Sequence, residues 1–169
     1  MNRPGVKASS AGASWSVVMD ELDLAWGYCF YLPEDARANL MWHSRLDVLA
    51  ASGVSPGLAF HNTEEGLLFN VNAALGLAEL QYLKVNSVAV RVEVFNVARF
   101  GFPFVISLEY NALTGECSGA VGDEGIFNRT LPYKSIPVLP AVSSIEIVTI
   151  TSPDAGGAAE YGNLVLNCE

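Results

Sequence analysis

Between Ser87 and Tyr110 apolar and polar side chains alternate. Val88, Val90, Val92 and Val94 fall on one face of an extended chain, while Ala89, Arg91, Glu93 and Phe95 fall on the other. After a connection holding Gly101 and Pro103, Phe104, Ile106, Leu108 and Tyr110 alternate with Val105, Ser107 and Glu109. Successive strand side chains point to opposite faces, so this period of two predicts two long strands of a half-buried antiparallel sheet. Val90 and Val92 are then expected in the core beside Ile106 and Leu108.

The same alternation runs through Leu22, Leu24, Trp26, Tyr28, Phe30 and Leu32, a strand ended by Pro33. Pro33 suits the first turn of a helix, and Glu34 and Asp35 suit its positive N-terminal end. Residues 36–52 carry helix formers, with Trp42, Leu46 and Leu49 on one stripe and Gly53 as a stop, and predict a helix. Two short strands follow at Leu58–Asn62 and Gly66–Asn72. Leu77, Leu80 and Leu83 recur at helical spacing and predict a second, short helix. Residues 111–125 read as a Gly-rich acidic loop. The two prolines of Lys134–Pro140 confine that stretch to an extended edge or turn. Ser144–Thr151 and Asn163–Asn167 complete the strands.

About eight strands and two helical excursions, in an order without βαβ alternation, predict an all-β fold. The expected form is a two-sheet antiparallel β-sandwich, an eight-stranded jelly roll with one or two helical insertions. Residues 1–14, rich in Gly, Ser and Ala, read as a mobile N-terminal arm, and 15–169 as one jelly-roll domain.

Composition adds two constraints. The chain is 51% apolar, and its mean hydropathy of +0.31 is high for a soluble monomer, which favours association. Its formal charge of −9, from nine basic and eighteen acidic residues, argues against a basic nucleic-acid face. No apolar run reaches the roughly 18 residues of a membrane span. No continuous apolar segment precedes Trp15, so no secretory signal is expected.

Candidate chemistry is sparse, and no enzyme, metal or cofactor is expected. Cys29, Cys117 and Cys168 are odd in number, without metal-type spacing, and read as reduced thiols. His43 reads as a partly exposed helix residue. His61 lies close to Glu65, a candidate metal pair, but no His-x-His pair of the cupin type occurs. A Gly-x-Ser-x-Gly elbow is absent. Asp20, Glu21 and Asp23, like Asp123 and Glu124, read as solvated charges rather than as a glycosidase pair facing across a cleft. Asn128-Arg129-Thr130 matches a glycosylation sequon and is read as coincidental.

From Glu65 onward the order of elements resembles coat proteins of small icosahedral plus-strand RNA plant viruses, especially the tymovirus type. A strand (GLLFNVNA), a short helix (LGLAELQYLK), two long strands (SVAVRVEVFN, FPFVISLEYN), a proline-bearing segment (LPYKSIPVLP) and two final strands (SIEIVTITS, GNLVLNCE) carry it. The resemblance implies a capsid protomer that self-assembles into an icosahedral shell around a genome. The virion would assemble in the host cytoplasm, with self and genomic RNA as partners and no membrane. Arg3 and Lys7 would supply weak, salt-sensitive RNA contacts. The alternative is a non-viral β-sandwich binding module, lectin-like or trimeric and tumour-necrosis-factor-like.

Overall fold

A computed structural model describes residues 7–11, 14–19, 25–32, 34–37, 39–84, 90–151 and 156–168. Strands β1 (Lys7–Ala11), β2 (Ser14–Met19) and β3 (Ala25–Tyr31) come first, then a single helical turn, α1 (Glu34–Arg37). The chain continues through β4 (Met41–Ser52), β5 (Val54–His61), β6 (Glu65–Asn72), β7 (Leu77–Lys84) and β8 (Val90–Asn96). It ends with β9 (Phe104–Asn111), β10 (Glu116–Val121), β11 (Glu124–Thr130), β12 (Ser144–Thr151) and β13 (Gly157–Cys168). A seven-stranded sheet, ordered β1-β2-β13-β4-β9-β10-β11, lies on a six-stranded sheet, ordered β3-β12-β5-β6-β7-β8. The expected antiparallel β-sandwich is therefore present, with more than eight strands.

The core follows from alternation on facing strands. Along β4 and β9, Trp42, Ser44, Leu46 and Val48 stand opposite Tyr110, Leu108, Ile106 and Phe104, and all eight are buried. The Trp42 and Tyr110 rings stack with centroids 6.1 Å apart. Leu58, Phe60, Leu67, Phe69, Ile145 and Ile147 of the other sheet complete the same cluster. Tyr161 of β13 reaches across the sandwich, its hydroxyl 2.6 Å from Thr149 Oγ1 of β12. Complete burial pushes that phenol well above its usual range.

Several expectations are corrected. The helix over 36–52 is strand β4 apart from the turn at α1, because Trp42, Ser44, Leu46 and Val48 bury with period two and Leu49 is exposed. The second helix is strand β7, with Ala78 and Leu80 facing the core. The loop at 111–125 contains a hairpin. Asn111 Oδ1 accepts the backbone N–H groups of Leu113 and Thr114 at 2.9 and 3.1 Å, and β10 and β11 then pair beside β9. Cys117, Gly119 and Val121 face inward on β10, and Gly119 leaves room for the Phe127 ring. Lys134–Pro140 opens in a turn, with Lys134 at a φ of 49° and Tyr133 bridged to Ile136, and it fills the core with Ile136 and Leu139; the Tyr110 hydroxyl donates to Leu139 O at 2.5 Å.

Ile106 and Leu108 are fully buried as expected and Val92 packs half-buried against the core, but Val90 and Val94 are exposed. An extra residue in β8 shifts the register, so Glu93 stands opposite Leu80 while Arg91 stands opposite Gln81. Glu93 and Phe95 thereby take the inward face. Lys7–Ala11, expected within the N-terminal arm, pairs with β2. Leu22, Leu24 and Arg3 lie outside the described residues.

Candidate functional site

On the six-stranded sheet, alternation that sends Leu58, Phe60, Leu67, Phe69, Ile145 and Ile147 inward sends the intervening residues to the opposite face. Register aligns them in rows. Cys29, Glu146, Ala59, Leu68, Gln81 and Arg91 stand opposite one another across all six strands. The adjacent row is Gly27, Val148, Gly57, Asn70, Glu79 and Val94.

Much of this face is buried although it points away from the core. Ala59, Leu68 and Val148 form a separate buried apolar cluster flanked by Leu83 and Ile150. Buried amides adjoin it, with Asn70 only 3% and Gln81 9% exposed.

The polar groups are tied together. Arg91 Nη2 lies 2.8 Å from Glu79 Oε1, and Gln81 Nε2 donates to Glu79 Oε2 at 2.9 Å and to Asn70 Oδ1 at 3.2 Å. Side-chain-to-side-chain bonds of this kind are a minority in proteins and fix one arrangement of donors and acceptors. Beyond the apolar floor, His61 Nε2 lies 2.5 Å from Glu146 Oε2, although its geometry is not that of an aligned hydrogen bond.

Three glycines make the arrangement fit. A Cβ at Gly27 would occupy the place of the Glu146 carboxylate, and one at Gly66 would overlap the His61 ring. One at Gly57 would come within 2.8 Å of Asn70 Cβ. Glycine inside a strand marks such close approaches. Cys29, reachable from solvent, is still flanked by enough protein that desolvation, with the Glu146 charge, pushes its thiol up to about 11. It therefore stays protonated at neutral pH and is a poor nucleophile.

The structure places the sequence candidates elsewhere. His61 meets Glu146 rather than Glu65, whose carboxylate accepts from the Tyr82 hydroxyl at 2.8 Å. His43 lies on the other sheet, 3.5 Å from Glu109. Asp123 and Glu124 sit at the β10–β11 turn. Asp20, Glu21 and Asp23 lie outside the described residues, and Lys7 opens β1. Among the described residues no three His, Cys, Asp or Glu side chains are grouped to hold a metal ion. Sequence reasoning missed Asn70, Glu79, Gln81, Arg91 and Glu146. Their one readable signal was glycine recurring within strand-like segments.

No protein-family model and no curated protein matches the sequence. The fold, however, is shared with solved structures. The carbohydrate-binding module CBM66 from Bacillus subtilis superposes with a TM-score of 0.65 at 10% identity, over 96% of this chain and 91% of that one. A Bacillus subtilis protein of unknown function with a galectin-like fold gives 0.65 at 9%, over 96% and 86%. Alginate lyase A1-II', of polysaccharide lyase family 7, gives 0.62 at 9%, over 100% and 85%. The chain is thus an antiparallel β-sandwich of the architecture these proteins share.

These findings overturn the coat-protein reading, and with it the shell of identical subunits and the RNA cargo. The resemblance leaned on a short helix between two strands, and that segment is β7, hydrogen-bonded on both sides within one sheet. The structures sharing the fold include both binding modules and polysaccharide-cleaving enzymes.

Proposed function

We propose that this protein binds carbohydrate on the outer face of the six-stranded sheet and does not cleave it. The observation that carries this reading is the linked set Asn70, Gln81, Glu79 and Arg91, bordering an apolar floor. A sugar ring presents hydroxyls around its edge and C–H groups on its faces. Fixed amide, carboxylate and guanidinium groups match the hydroxyls, and the half-buried Leu83 and Ile150 match the apolar face. The shared fold with a carbohydrate-binding module supports the same ligand class.

The carboxylates are poorly disposed for glycoside hydrolysis. Glu79 and Glu146 stand three strand spacings apart, roughly 14 Å, whereas a hydrolytic pair needs about 5–9.5 Å. Each is also engaged, Glu79 by Arg91 and Gln81, and Glu146 by His61.

A glycan array followed by calorimetry with the bound glycan tests the reading. Wild type should retain a defined subset of glycans. Arg91→Ala, at an exposed side chain, should weaken binding about tenfold, equivalent to about 1.4 kcal/mol, with an unchanged circular dichroism spectrum. An array without hits, or unchanged binding by both Arg91→Ala and Gln81→Ala, would overturn it. Shortening of a bound polysaccharide on incubation would overturn the non-catalytic part.

A further inference from the structure

The seven-stranded sheet carries a second polar row on its own outer face. Asn167, His43, Glu109, Ser118 and Asn128 stand opposite one another, strand by strand, across β13, β4, β9, β10 and β11. They line a cleft of about 480 Å³, within the roughly 300–1,000 Å³ of small-molecule sites. Trp42, Tyr110 and Cys117, whose side chains pack in the core, back the same cleft.

We infer that this cleft is a second binding site for a neutral oligosaccharide, separate from the face described above. Its side chains decide the ligand class. Two amides and a hydroxyl each donate and accept, Glu109 accepts, and His43 faces it at 3.5 Å. Anionic ligands are disfavoured because Glu109 and Glu116 outnumber the single imidazole among the lining side chains. Large apolar ligands are disfavoured because Met41 is the one exposed apolar side chain in the lining. What remains is a ligand rich in uncharged hydroxyls. Four strand spacings extend the row to roughly 19 Å, a length suited to several linked rings rather than one.

The two faces lie on opposite sides of the sandwich, so one chain could hold two glycans at once and bridge them. This site does not depend on the first. Amide resonances of the ¹⁵N-labelled full chain, titrated with lactose, maltotriose, cellotriose and mannotriose, report each face separately. The expected result is saturable shifts at His43, Ser118 and Asn128 with at least one of these probes. Asn128→Ala and Ser118→Ala should each weaken that response about tenfold, with the remaining spectrum preserved. Shifts absent for all four probes, rising linearly without saturation, or unchanged in both variants would overturn the inference. Shifts on the six-stranded sheet alone would overturn it while sparing the first proposal. Shifts on the seven-stranded sheet alone would do the reverse.

Discussion

Glu93 and Arg129 stand on edge strands of opposite sheets and meet as a two-pronged pair, with Arg129 Nε 3.1 Å and Nη2 2.9 Å from the two carboxylate oxygens. The Tyr133 hydroxyl donates to the same carboxylate at 3.0 Å. The guanidinium also lies over the Phe95 and Tyr133 rings, 5.6 and 5.3 Å from their centroids. Arg129→Ala removes a charge-assisted contact between partners that are 29% and 20% exposed. It should cost about 1–3 kcal/mol, read as a lower urea midpoint at unchanged slope.

The same pair sets an acid limit. Hydrogen bonding from Arg129, reinforced by Tyr133, holds the Glu93 carboxyl below its usual range despite its partial burial. A depressed carboxyl contributes stability that is present above its unfolded value and is lost as the pH falls through its folded value. The stability gap between wild type and Glu93→Gln should therefore be widest near neutrality. It should close below about pH 4, as measured by urea unfolding across pH. A gap that widened in acid would contradict the assignment.

Core and edge should respond differently. Leu108→Ala, at a fully buried position, should cost about 2–5 kcal/mol. Val94→Ala, at an exposed edge position, should stay within about 0.5 kcal/mol. Equal losses would mean that the face of β8 is misassigned.

The glycines of the candidate site should separate fold from binding. At Gly27 the added methyl meets the far end of the Glu146 side chain, which can swing aside, so Gly27→Ala should keep nearly wild-type stability while weakening glycan binding. At Gly57 it meets the backbone oxygen of Phe69 at 2.7 Å, which cannot yield alone. Gly57→Ala should therefore unfold at distinctly lower denaturant. The reverse order would mean that these close approaches do not shape the face.

Cys29 should react slowly with iodoacetamide at pH 8. Its thiol at about 11, against an ordinary 9.0, leaves on the order of a hundredfold less thiolate. Glu146→Gln removes a charge that disfavours the thiolate and should speed the reaction.

The strands carrying regular alternation were legible from sequence: β9, β12 and β6 fall where the pattern puts them. The failures share a physical cause. Trp42, Leu46 and Leu49 satisfy helical spacing as well as the strand satisfies its own, and only the facing residues Tyr110 and Ile106 decide between them. Leu77, Leu80 and Leu83 deceived in the same way, since β7 is held by partners on both sides. In β8 one extra residue reverses the face, which periodicity alone cannot reveal. The candidate site was hidden because its members come from five neighbouring strands, β12, β5, β6, β7 and β8, and stand up to 85 positions apart in the chain, counting from His61 to Glu146.

The shift in β8 has a consequence for how molecules meet at high concentration. It leaves Arg91 on the outer face and Glu93 on the inner face of the outermost strand of one sheet, each engaged with a partner within its own chain. A foreign strand docking there would crowd or desolvate charges already satisfied, a cost that discourages edge-to-edge growth. Sheet extension from copy to copy is opposed at that border, and the sandwich guards its margin with the residues that brace it.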